Sequence, residues 1–304
     1  MAMADWLGNF GGQIAALVAA CLWAAATVVY DRLGEEIAPL ELNLVKGLLV
    51  LIPLAVTLLL VGDSLVGIEP LALGLLLLSG VIGIGLGDTA YFQTLKYVGP
   101  RRALLLGMLG PPLSALLALI LMGEVLALSA WLGILITVLG VAWVVTERIP
   151  ESPGRSSDLG KGVLFGLAGA LTWAGAAVLA HAALVRTEIS PLWSAMLRMV
   201  AGTVVLALWL ALLRQPLGRW LGGKPRGRLW GRLLFAVLVG TFLALWLQQV
   251  SLKLIPAGVA MTLLSTGPLF VLPLAALTGE RISLRAVLGV LVALAGIGLL
   301  FGLV

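Results

Sequence analysis

Runs of about twenty apolar residues recur along this chain, separated by short polar breaks. At 1.5 Å per residue, each run is long enough to cross the roughly 30 Å hydrocarbon core of a bilayer as a helix. The expected spans are 13–30, 42–61, 71–95, 103–122, 126–146, 162–183, 191–213, 233–252, 257–278 and 286–303. Charged residues make up only 11% of the 304, against about 25% in an average soluble chain. Soluble enzymes, nucleic-acid binders and disordered chains are disfavoured on that ground. The chain reads as an all-α polytopic protein of the cell membrane, with ten transmembrane helices. The segment 1–12 has no Lys or Arg, so the first run lacks a signal peptide's basic leader and is expected to be a retained helix. Cys21 is the single cysteine, which leaves no intrachain disulfide.

The polar punctuation divides the chain. A hydrophilic stretch over 147–161 separates a five-helix unit, 13–146, from a second, 162–303. The units repeat one another. Pro39 precedes Lys46 by seven residues, and Pro191 precedes Arg198 by seven. Gln93, Pro112, Gly123, Glu124, Gly133 and Gly140 return 156 positions later as Gln249, Pro268, Gly279, Glu280, Gly289 and Gly296. Five is odd, so the second unit enters the membrane from the opposite face. Two inverted five-helix repeats around a central cavity are the architecture of secondary transporters that work by alternating access.

Few ionisable groups lie inside the spans, and each is costly there unless paired or hydrated. Lys46 sits about 6 Å into its helix and Asp88 about 10 Å into its own, from the same membrane face. An ion pair between them is allowed. Asp88 is then either a structural partner or a site for proton coupling or amine binding. Arg198 enters from the other face with no acid on the neighbouring helix, only Gln248 and Gln249, so its planar fork is a candidate for a substrate carboxylate. Asn43 completes the polar set. Trp23, Tyr91, Trp173 and Trp246 are candidates for an aromatic wall. Gly110-Pro111-Pro112 and Gly267-Pro268 break helices at matching places, and irregular backbone inside a membrane is tolerated only against protein or a water-filled cavity. With Ser265 and Thr266 they point to that cavity. Gly133/Gly140 and Gly289/Gly296 mark close helix contacts, within the fold or across a homodimer. Glu124 and Glu280 suit helix caps, and His181 suits a helix end.

No metal-ligand spacing, cofactor fingerprint, P-loop or nucleophile–base set appears, so neither a cofactor nor enzymatic chemistry is expected. The loop 214–232 carries six basic residues with Trp220 and Trp230; between spanning helices this reads as membrane anchoring, not nucleic-acid binding. Basic residues concentrate in the loops after the odd-numbered helices, which places those loops in the cytoplasm and both termini outside.

With its Trp in the first helix of each unit, Pro-then-base into the second, and Pro then Gly-Glu around the fourth and fifth, the chain resembles the ten-helix EamA-type branch of the drug/metabolite transporter superfamily. The resemblance covers about 13–301. It implies export or exchange of small metabolites through a cavity lined by helices 1–4 and 6–9, with helices 5 and 10 outside it, and termini that face the cytoplasm, opposite to the charge count. Lys46 departs from the family, where many members have Arg. The expected activity is secondary transport of small zwitterions such as amino acids, most simply outward. The alternatives are an anion or phosphate-ester exchanger and a non-transporting membrane scaffold.

Overall fold

A computed structural model describes residues 2–65, 68–122, 127–146, 158–214, 217–218, 220, 227–255, 257–271 and 283–300. Every regular element among them is helical: α1 (Ala2–Leu33), α2 (Pro39–Val61), α3 (Pro70–Gly80), α4 (Asp88–Gly107), α5 (Gly110–Met122), α6 (Leu128–Val145), α7 (Leu159–Arg186), α8 (Pro191–Leu213), α9 (Gly227–Phe235), α10 (Ala244–Leu254), α11 (Ala257–Leu264) and α12 (Leu284–Leu300). Two π segments, Val81–Gly87 and Ala236–Leu243, join α3 to α4 and α9 to α10. Among the described residues six helices are long and apolar enough to cross a membrane: Phe10–Leu33, Pro39–Val61, Pro70–Gly107, Leu159–Arg186, Pro191–Leu213 and Gly227–Leu254. Shorter apolar helices cover Trp131–Val144, Ala257–Val271 and Leu284–Leu299.

Local chemistry sets the helix ends. Pro39, Pro70 and Pro191 open α2, α3 and α8, where the missing N–H has no helical partner to lose. Ser190 accepts a hydrogen bond from the Trp193 amide at 3.1 Å and caps α8. The connection expected between spans 71–95 and 103–122 shrinks to a single residue. Gly99, at φ 76° and ψ 173°, breaks the helical path just ahead of Pro100, a conformation open to glycine because it has no Cβ. The expected breaks at Gly110-Pro111-Pro112 and Gly267-Pro268 fall slightly earlier than the sequence suggests. The backbone tightens to i→i+3 bonds at Met108–Leu109 and at Ser265–Thr266, and each proline then lies in the first turn of the next helical stretch. Gly123-Glu124, Gly279-Glu280 and most of the 147–161 linker lie outside the described residues.

Packing sorts side chains by size. α1 buries Ala15, Ala16, Ala19, Ala20, Ala24 and Ala26, and α7 buries Gly166, Gly169, Ala170, Ala174 and Ala177. Leu59, Leu60, Leu135, Leu139 and Leu212 face outward. Small residues let helix backbones approach where apolar burial no longer drives association. α1 packs on α10 and its π segment, and α7 on α3, α4 and theirs; α2 packs on α8, and α6 on α12. The seven-residue glycine spacing is used inside the chain: a methyl on Gly140 would lie 2.9 Å from the Ala293 amide nitrogen, and one on Gly296 2.6 Å from that of Thr137.

Asn43 anchors the first π segment. It is fully buried and donates to the Ile84 carbonyl at 2.8 Å and to Thr89 Oγ1 at 2.9 Å. Asn43→Ala strands those acceptors and is expected to cost about 1–3 kcal/mol in detergent-solubilised unfolding. An unchanged midpoint would show that the π segment holds itself.

Candidate functional site

Asp88 is the first residue after the first π segment. Its Oδ2 forms a buried ion pair with Lys46 Nζ, and its Oδ1 accepts from Trp173 Nε1 at 2.9 Å. Lys46 is 0% exposed, and its ammonium also lies 5.2 Å from the centroid of the Phe92 ring. Gly87 makes the tryptophan contact possible: a methyl there would sit 2.7 Å from Trp173 Cδ1 and 2.9 Å from Nε1. Trp173 meets Trp23 edge-on with ring centroids 6.0 Å apart, and Tyr91 at 4.9 Å. Tyr91 lies behind this pair, buried, with its hydroxyl 2.7 Å from Thr27 Oγ1.

These groups border a cavity of about 140 Å³, below the roughly 300–1,000 Å³ typical of drug-sized sites. Of the candidate residues, Trp23, Asp88, Trp173, Arg198, Gln248, Ser265, Gly267 and Pro268 line it. Asn43, Lys46, Tyr91, Trp246, Thr266, Gly110, Pro111 and Pro112 are not among its lining residues. Asn43, Lys46 and Tyr91 form a supporting layer behind it, and Trp246 packs on Phe242 at 6.0 Å. Sequence reasoning passed over Gly83, Met199, Gly240, Thr241, Ala244 and Met261, which also line the cavity. Both π segments reach the cavity, with Gly240 and Thr241 from the second and Gly83 and Ile84 from the first. No residue of α2, α6 or α12 borders the cavity. The expectation that the second helix contributes directly is therefore modified: it acts through Lys46 on Asp88.

Arg198 is the electrostatic outlier. Only 5% of it is exposed, and its Nε and Nη1 have no hydrogen-bond partner among the described residues. Gln249, its expected neighbour, accepts from Ser194 at 2.9 Å instead. His181 is half-buried, and its Nδ1 donates to the Leu252 carbonyl at 2.7 Å, a tautomer fixed by the acceptor. Trp220 differs from expectation: it is buried, and its indole N–H and the Gly218 amide both bond Glu41 Oε1, at 2.9 and 2.6 Å. Among the described residues no group of three His, Cys, Asp or Glu side chains is placed to hold a metal ion.

The EamA-like transporter family matches the chain twice, over residues 10–146 and 160–302. The uncharacterized transporter YyaM of Bacillus subtilis (strain 168) is 27% identical over 219 residues, which span 72% of this chain and 70% of YyaM. One protein crystal structure superposes with a TM-score of 0.71 at 18% identity, covering 96% of this chain and 97% of the other, a likeness in fold alone.

Proposed function

Because the chain belongs to the EamA-like transporter family and is a multi-pass membrane transporter, we propose that it is a secondary carrier of small organic metabolites working by alternating access. In this reading 13–146 and 162–303 are inverted five-helix repeats joined by 147–161, and the cavity between them opens to one face at a time. Export is the proposed direction.

The observation that carries the reading is the shared cavity. Asp88 and Trp23 of the first half and Arg198 and Trp173 of the second all border it, and charged side chains inside a membrane mark substrate or ion pathways. The packing partners support the exchange of halves: α1 lies on α10 as α7 lies on α4, while α2–α8 and α6–α12 pair each element with its repeat. Both π segments reach the cavity through Gly83 and Gly240, and such segments are favoured places for functional bending.

Of the two transport classes expected from sequence, the organic anion is favoured over the zwitterion by one observation. Both oxygens of Asp88 already have donors within the protein, whereas Arg198 has unpaired nitrogens. The test is flux in reconstituted liposomes, with and without a pH gradient to reveal proton coupling, together with thiol labelling of Met199→Cys in a Cys21→Ser background from each side. Substrate-dependent flux and labelling whose sidedness shifts with substrate are expected. A carrier that shows no flux for any metabolite class, with labelling fixed to one side, would leave only the scaffold reading.

A further inference from the structure

We propose that the solute is a small organic monocarboxylate, and that its acid group docks on Arg198 as the counter-charge the second repeat does not supply. This rests on the transport reading and names its substrate class.

Equivalent positions in the two halves differ in charge. Lys46 and Arg198 each lie seven residues past the proline that opens their helix. In each half a π segment follows, and the residue directly after it is Asp88 in the first and Ala244 in the second. Asp88 pairs with Lys46. Ala244 has no charge to offer, and it lines the same cavity as Arg198. Among Lys46, Asp88 and Arg198 one positive charge is therefore left over, on a guanidinium with two unpartnered nitrogens. A desolvated charge of that kind favours a ligand of opposite sign.

Arg198 borders the cavity, with its Nε and Nη1 themselves buried and its Nη2 edge beside Gly83. A methyl on Gly83 would lie 3.4 Å from Arg198 Nη2 and 2.7 Å from Ala176 Cβ, so glycine at this position leaves that edge free. A carboxylate matches the planar fork with two parallel hydrogen bonds. A monoanion balances the single excess charge, whereas a phosphate-ester dianion would overshoot it. An ammonium would add to it, and would compete with Lys46 and Trp173 for Asp88. Trp23, Leu245, Met261 and Leu264 line the rest of the cavity and suit an apolar body.

The experiment uses the full chain in detergent and in liposomes. Straight-chain carboxylates from acetate to hexanoate, and benzoate, are compared with the matching amides, amines, amino acids and alkyl phosphates in thermal-shift titrations and in flux. Carboxylates alone are expected to stabilise the wild type strongly, and Arg198→Gln to weaken them by about thirtyfold or more. Ala244→Asp, which gives Arg198 a partner within the chain, is expected to remove the carboxylate response, while Ala244→Asn keeps it. Amines or amides that stabilise as well as carboxylates, or equal loss in Ala244→Asp and Ala244→Asn, would overturn the assignment. Carboxylate binding without flux would defeat the transport reading and leave the anion site standing; flux confined to other solutes would do the reverse.

Discussion

Asp88→Ala is expected to destabilise the protein by about 3–5 kcal/mol, the cost of leaving one partner of a buried ion pair uncompensated. Lys46 has no exposed surface, and Asp88 is its ion-pair partner among the described residues. The same substitution takes the acceptor from the Trp173 indole. The Phe92 ring beside the ammonium offers about 1–2 kcal/mol at most, which is too little to compensate. Adding Lys46→Met to Asp88→Asn removes the stranded charge, keeps an oxygen for Trp173, and is expected to recover most of the loss. Thermal unfolding of the purified protein reads both effects. If Asp88→Ala unfolds at the wild-type temperature, water reaches Lys46 and the pair is not a dry one. Flux then separates two roles for Asp88: a stable double variant that still transports makes the pair structural, and one that has lost pH-dependent transport makes Asp88 a coupling group.

Gly80→Ala and Gly74→Ala, six residues apart on one helix, are expected to shift stability in opposite directions. Gly74 is exposed with nothing within 4 Å of an added methyl, so alanine there stabilises by about 0.5–1 kcal/mol through the helix backbone. A methyl on Gly80 would fall onto the Arg198 carbonyl, with the Arg198 Cα 2.7 Å away. Across the same crossing, a methyl on Gly202 would meet Ile84 Cβ at 2.7 Å and the Gly80 carbonyl at 3.0 Å. Backbone cannot rotate aside as a side chain can, so α3 and α8 must separate. The cost is expected to be about 1–3 kcal/mol, and flux should fall further than stability because Arg198 moves with α8. Equal flux in the two variants would show that the crossing does not position the guanidinium.

Much of this arrangement could be read along the chain. The apolar runs located the six spanning helices seen among the described residues, and the 156-residue register matched Pro112 to Pro268 and Gly140 to Gly296. Gly80, Gly83, Gly85 and Gly87 cluster where the structure has a π segment. Lys46 and Asp88 stood out as charges at similar depth, and they pair. These features were legible because a charge, a proline or a glycine is conspicuous against an apolar background.

Other features were decided only when the helices packed. Nothing in the sequence distinguishes Trp246, which packs on Phe242, from Trp23, which borders the cavity. Asn43 reads as a candidate ligand contact until the fold sets it against Ile84 and Thr89. Ala244 reads as one alanine among many until its place after the second π segment puts it in the wall of the cavity that Arg198 also lines. In a water-soluble helix the polar stripe reports which side faces solvent. Here lipid and core are both apolar, so inside and outside differ mainly in side-chain size, and helix rotation about its own axis is fixed by neighbours rather than by local pattern. Sequence therefore set the helices, their register and their few charges, while tertiary packing chose which charge was neutralised within the protein and which was left facing the cavity.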